Sequence, residues 1–151
     1  MDQITRPRRP VWYHGPVSIE RINPGELGRP SGFSHAVSAT GGRLIFLAGQ
    51  TGYAPDGQIV PGGVVSQFER ALGNLLAALR AAGGEPGDLV TLTIYAVDLE
   101  GYRAHGREIR QVWQRLCGRD YPAMAAVGVS RLWDADALVE LQGAAVVGAT
   151  D

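Results

Sequence analysis

A chain of 151 residues has room for one domain built on one core. It is 45% hydrophobic and 19% charged with a net charge of -1, the make-up of an ordinary soluble globular protein, and so gives no support for binding nucleic acid or membranes. A single cysteine, Cys117, excludes an internal disulfide.

All 14 basic residues are arginines. Without a lysine there is no Schiff-base catalysis, no lysine anchor for pyridoxal phosphate and no P-loop. His14, His35 and His105 are widely spaced, and neither a CxxC nor an HExxH occurs, so no metal site is expected. No apolar run is long enough to span a membrane, and MDQITRPRRP has no apolar segment after its arginines, so neither a membrane helix nor a secretory signal is expected. The expected location is cytoplasmic.

Residues 1–18, with Pro7, Pro10, Pro16 and the cluster Arg6, Arg8 and Arg9, read as an irregular arm, either a solvated tail or a strap across a neighbouring subunit. The domain proper is expected over 19–151. Ser18–Asn23 is a candidate first strand, ended by Pro24-Gly25, and His35–Ala39 is a second, ended by Gly41-Gly42. Arg43–Gly49 is an apolar run suited to a central strand, and Pro55-Asp56-Gly57 marks a turn. In Gly62–Ala82, residues Val65, Phe68, Leu72, Leu75, Leu76 and Leu79 form one stripe at helical spacing, and Gly83-Gly84 ends the helix.

Leu89–Val97 alternates as a strand, with Leu92, Ile94 and Ala96 on one face and Thr91, Thr93 and Tyr95 on the other. Gly101–Cys117 reads as a second helix, with Tyr102, Ile109, Val112, Trp113 and Leu116 inward and Arg103, Arg107 and Arg110 outward. Ala123–Arg131 and Ala137–Val147 are the last strands. On the final one Leu138, Glu140, Gln142 and Ala144 share one face, opposite Val139, Leu141, Gly143 and Ala145. Two helices cannot cover both faces of a sheet of about six strands, so an α+β layer with the helices on one face is expected. The mixed face carrying Glu140 suits a subunit interface with a polar pocket, and an oligomer is expected.

The ordered series of segments from about Asn23 to Val147 resembles the Rid (YjgF) family of imine and enamine deaminases. GFSHA resembles its glycine–aromatic–Ser–Gln/His–Ala segment, and LIFLAGQTG its apolar strand ending in Ser-Gly. SQFERALGNLLAALRAAGGEPGDLVTLTIYAVDLEGY resembles its helix–strand unit, and YPAMAAVGV and ALVELQGAAVV its last two strands. The resemblance implies a single chorismate-mutase-like α+β domain, a homotrimer with substrate clefts between subunits, and hydrolysis of imino or enamino acids without metal or organic cofactor.

Carried over residue by residue, the resemblance makes Glu140 the carboxylate that activates or positions the attacking water. Phe33, Gly49, Tyr102 and Met124 become the substrate-binding residues. Four positions depart from the family pattern. Met124 replaces the arginine that grips the substrate carboxylate, and a thioether offers only apolar contact. Phe33 replaces a tyrosine, Gly106 an asparagine and Ala48 a serine. General 2-imino acid deamination is therefore not the expected activity, and a more apolar substrate is. The alternative is a non-catalytic ligand-binding or chaperone-like trimer; a purely structural assembly would leave Glu140 without a reason.

Several residues have a second reading. Glu140 can be a catalytic base or a carboxylate paired across an interface. His35 reads as a structural hydrogen-bonding residue, His105 as solvated, Cys117 as a packed small residue and Trp133 as interface packing. Arg43 and Arg131 are candidates to replace the missing clamp.

Overall fold

A computed structural model of the chain describes residues 16–148, so most of the expected arm lies outside the described residues. Among the described residues six strands and three α-helices follow the expected order: β1 (Ser18–Ile22), β2 (Ala36–Thr40), β3 (Arg43–Gln50), α1 (Gly63–Ala81), β4 (Leu89–Ala96), α2 (Leu99–Ala104), α3 (Gly106–Cys117), β5 (Ala123–Gly128) and β6 (Val139–Val147). The α+β class is as expected, but the strands do not form one sheet of six. They make a four-stranded sheet in the order β3-β6-β4-β5 and a separate hairpin of β1 and β2.

The reason lies in where β2 goes. Ser34, just before it, bridges Ala123 at the β5 edge, and its amide donates to the Pro122 carbonyl at 2.9 Å. The chain then runs past β4 and turns at Gly41-Gly42, both at positive φ, into β3 on the opposite edge. The expected central strand Arg43–Gly49 is consequently an edge strand. Its pairs on β6 include Phe46 with Ala144 and Leu47 with Gly143, all antiparallel.

The helix α1 forms as its stripe dictates. Phe68, Leu72, Leu75, Leu76 and Leu79 are buried against the sheet, while Val65 is only partly so. It ends in a Schellman motif, with Gly84 N–H donating to the Leu79 carbonyl at 3.0 Å and Gly83 N–H to that of Arg80 at 2.9 Å. Val139, Leu141, Ala145 and Val147 of β6 and Leu92 and Ile94 of β4 complete this core from the sheet side.

The expected helix Gly101–Cys117 starts earlier and is broken. Asp98 caps it by accepting the Gly101 amide at 2.9 Å, which sets the start at Leu99. His105 then leaves helical geometry (φ -98°, ψ 19°), and its Nδ1–H donates back to the Gly101 carbonyl at 2.8 Å. The break re-aims α3, whose Ile109, Val112 and Trp113 are buried. All three helices lie on one side of the sheet. The other face is open in the protomer: Phe46 is 80% exposed and Leu44 58% exposed, beside Gln142, Thr91, Thr93 and Tyr95.

Candidate functional site

Between α2, α3 and the β5 edge lies a cavity of about 630 Å³. Strand pairing decides which residues reach it. Met124 lies opposite Leu92 in the parallel β4–β5 ladder and so shares the helix-side face. Phe33 enters from the loop before β2, held by the neighbouring Ser34, whose hydroxyl donates to the Tyr121 carbonyl at 2.6 Å. Tyr102 comes from α2 and packs edge-on against Phe68 with ring centres 6.2 Å apart. Burial pushes the Tyr102 phenol up to about 12, so it stays a neutral donor at physiological pH.

From α3 the cavity receives Gly106, Ile109, Arg110 and Trp113, spaced as one helical stripe. Trp113 stacks on Tyr121 at 5.3 Å and donates its indole N–H to the Asp120 carbonyl at 3.1 Å. Arg110, expected to face outward, lines this wall and donates to the Ser31 hydroxyl at 2.7 Å. The Tyr121 phenol is raised, chiefly by burial, against the opposing pull of the Arg110 charge. Among the described residues no acidic side chain lines the cavity.

A second constellation sits on the open face of the sheet. Glu140 pairs with Tyr95 across β4 and β6, with Gln142 next on the same face accepting from the Tyr95 hydroxyl at 3.1 Å. The register of β3 on β6 shifts between Leu47 and Gln50, a bulge that brings Gly49 under the Glu140 side chain. A Cβ at Gly49 would collide with Glu140 Oε1, so only glycine leaves that carboxylate its place. Among the described residues Glu140 has neither an ion-pair partner nor a hydrogen bond to its carboxylate. It is half-buried and otherwise uncommitted.

The five sequence-designated residues therefore fall into two groups. Phe33, Tyr102 and Met124 share the cavity, while Gly49 and Glu140 share the opposite face. Of the other weighed residues, His35, Arg43 and Arg131 make backbone hydrogen bonds. His35 donates Nε2–H to the Gly28 carbonyl at 3.1 Å and receives no role in the cavity. Arg43 donates to the Ala82 carbonyl at 2.9 Å, at the end of α1, and Arg131 to the Leu132 carbonyl at 3.3 Å; neither guanidinium lines the cavity. Cys117 is half-buried, with its thiol pushed up to about 12 by burial. Trp133 is 93% exposed. Sequence reasoning missed Arg110, Trp113 and Tyr121 as cavity residues. The three- and four-residue spacing of Gly106, Arg110 and Trp113 was the signal available for two of them.

Comparison with known proteins places this geometry among relatives. The family model described as endoribonuclease L-PSP matches residues 26–147. A RutC family protein of Pyrococcus abyssi is 35% identical over 114 residues, covering 75% of this chain and 84% of the relative. A 2-iminobutanoate/2-iminopropanoate deaminase of Capra hircus is 35% identical over 107 residues, 70% of this chain and 74% of the relative. Among solved structures, the Rid-family protein YyfB of Yersinia pestis superposes with a TM-score of 0.77 at 34% identity, covering 85% of this chain and 98% of its own.

Proposed function

The chain belongs to the endoribonuclease L-PSP family, which includes the Rid (YjgF) proteins, and from that premise we propose that it hydrolyses a small imine or enamine with Glu140 as the proton-handling carboxylate. The observation that carries this reading is Glu140 itself, a half-buried carboxylate with a space cleared for it by Gly49 and no partner among the described residues. A carboxylate kept in that state is set to bind water or a proton in transit.

In the proposed reaction Glu140 takes a proton from water as the oxygen adds to the imine carbon. The C=N π electrons pass to nitrogen, which takes up the proton. Glu140 then takes the hydroxyl proton of the carbinolamine and passes it to the amino nitrogen, so that the C=O bond forms as the C–N bond breaks and ammonia leaves. An enamine enters the same sequence after protonation at carbon. The similarity to proteins named as deaminases of 2-iminobutanoate and 2-iminopropanoate supports this chemistry.

The two groups of residues become one site if copies of the chain assemble as a homotrimer, with the exposed Leu44–Phe46 face of one subunit, and Glu140 with it, closing the cavity of the next. The apolar exposure of that face supports assembly. In the cavity the carboxylate grip at Met124 is absent, so short 2-imino acids are poor substrates and a more apolar molecule is favoured. The same Met124 wall favours a second reading, a trimer that binds such a molecule without converting it.

The test is ammonia release from freshly generated 2-imino acids of increasing side-chain size. The expected result is a rate that rises with apolar bulk and falls about 100-fold or more in Glu140→Gln, with the thermal midpoint unchanged. Equal rates for Glu140→Gln and wild type would remove Glu140 from the chemistry. No turnover of any member, by wild type or by Met124→Arg, would favour the binding reading.

A further inference from the structure

We propose that Arg110 is the anion anchor of this cavity, and that the molecule bound there is an amphipathic anion whose apolar body lies toward Met124. The inference rests on reading the cavity as the substrate side of the site, and it adds the class of ligand and the residue that selects it.

The cavity lining includes Phe33, Ile94, Met124 and Trp113, side chains that offer no charged contact. At the α3 wall stands Arg110. Among the described residues no carboxylate neutralises it; the ion pairs there use Arg21, Arg103 and Arg115. Among the described residues its side chain makes one hydrogen bond, to the neutral Ser31 hydroxyl at 2.7 Å, which orients the fork without cancelling its charge. The other arginine of the cavity, Arg103, is exposed like Arg110 but is engaged by Glu100 at 3.3 Å.

The field around Arg110 has the same sign. It also borders the adjoining groove, which brings Arg21, Arg29 and Arg119 against one carboxylate, Asp120. An anion is therefore drawn toward this wall and meets a guanidinium with unused donors on arrival. A carboxylate is the anion that fits best, because a planar fork takes it bidentately and the apolar walls need a hydrocarbon body to fill them.

The experiment is calorimetric titration of the full-length protein with phenylacetate and with its neutral counterpart phenylacetamide. The variants are Arg110→Gln and, as the control for a general arginine effect, Arg103→Gln. Wild type is expected to bind the carboxylate about tenfold or more tightly than the amide. Arg110→Gln is expected to erase that preference while leaving the amide's affinity as it was, and Arg103→Gln to keep it. Circular dichroism of each variant confirms the fold. No difference between the probes in wild type, whether or not either binds, would overturn the proposal. So would a preference that survives in Arg110→Gln, or one lost equally in Arg103→Gln. These outcomes are independent of turnover: an anion preference without hydrolysis would count against the role of Glu140 alone, and hydrolysis without the preference against Arg110 alone.

Discussion

Met124 and Glu140 stand on neighbouring regions of one sheet, and the pleat sends them to opposite sides. The parallel ladder pairs Met124 with Leu92, and the antiparallel ladder pairs Glu140 with Tyr95. Alternation along each strand was legible in the sequence, and β4 and β6 keep the faces it assigned them. Which face of β5 meets which face of β6 depends on the register between strands, and alternation within one strand does not contain it. Arg110 keeps the exposure that its place on an amphipathic helix implies, and its part in the cavity wall comes from the loop carrying Ser31, which no helical pattern contains. Two half-buried groups make a pH prediction. Burial raises the Tyr102 phenol from 10.0 to about 12 and the Cys117 thiol from 9.0 to about 12. Both favour the protonated form in the folded state, so their contribution is complete below pH 9 and is lost as pH rises through 12. The urea midpoint should fall between pH 9 and 11, and fall less in Tyr102→Phe/Cys117→Ala; equal falls would assign the loss to other groups.

At the scale of elements, α1 was legible nearly to the residue because its period and its terminal glycines agree. The second helix was not, because its start depends on the Asp98 side chain reaching forward to accept the Gly101 amide and its break on His105 bonding the same residue's carbonyl. The loop before β6 depends on a residue that helical periodicity does not single out. Gln67 of α1 is buried, donates to the Asp136 carbonyl at 3.1 Å and accepts the Leu138 amide at 2.7 Å, fixing the approach to β6 two residues before Glu140. Gln67→Leu should cost about 1–3 kcal/mol in urea unfolding, because it leaves two backbone groups without partners. A change within about 0.5 kcal/mol would mean that water reaches both groups and the glutamine is dispensable.

For the whole molecule the open sheet face is the governing feature. Phe46 and Leu44 expose apolar area that a lone protomer has no reason to keep, on the face that carries Glu140. On the proposed account this face is covered by another copy. Phe46→Glu should then shift the assembly from trimer toward monomer in light scattering, with the core intact by circular dichroism; an unchanged mass would place the interface elsewhere.

The claim that the site is shared between subunits has a direct test in complementation. Glu140→Gln removes the carboxylate, and Gly106→Leu extends a side chain into the cavity from a position where an added Cβ meets no neighbour within 4 Å. Each variant alone should be inactive in ammonia release. Co-expressed with different tags and isolated as mixed assemblies, they should recover a measurable fraction of wild-type activity, because some clefts pair an intact cavity with an intact Glu140. Mixed assemblies as inactive as their parents would contradict a shared site.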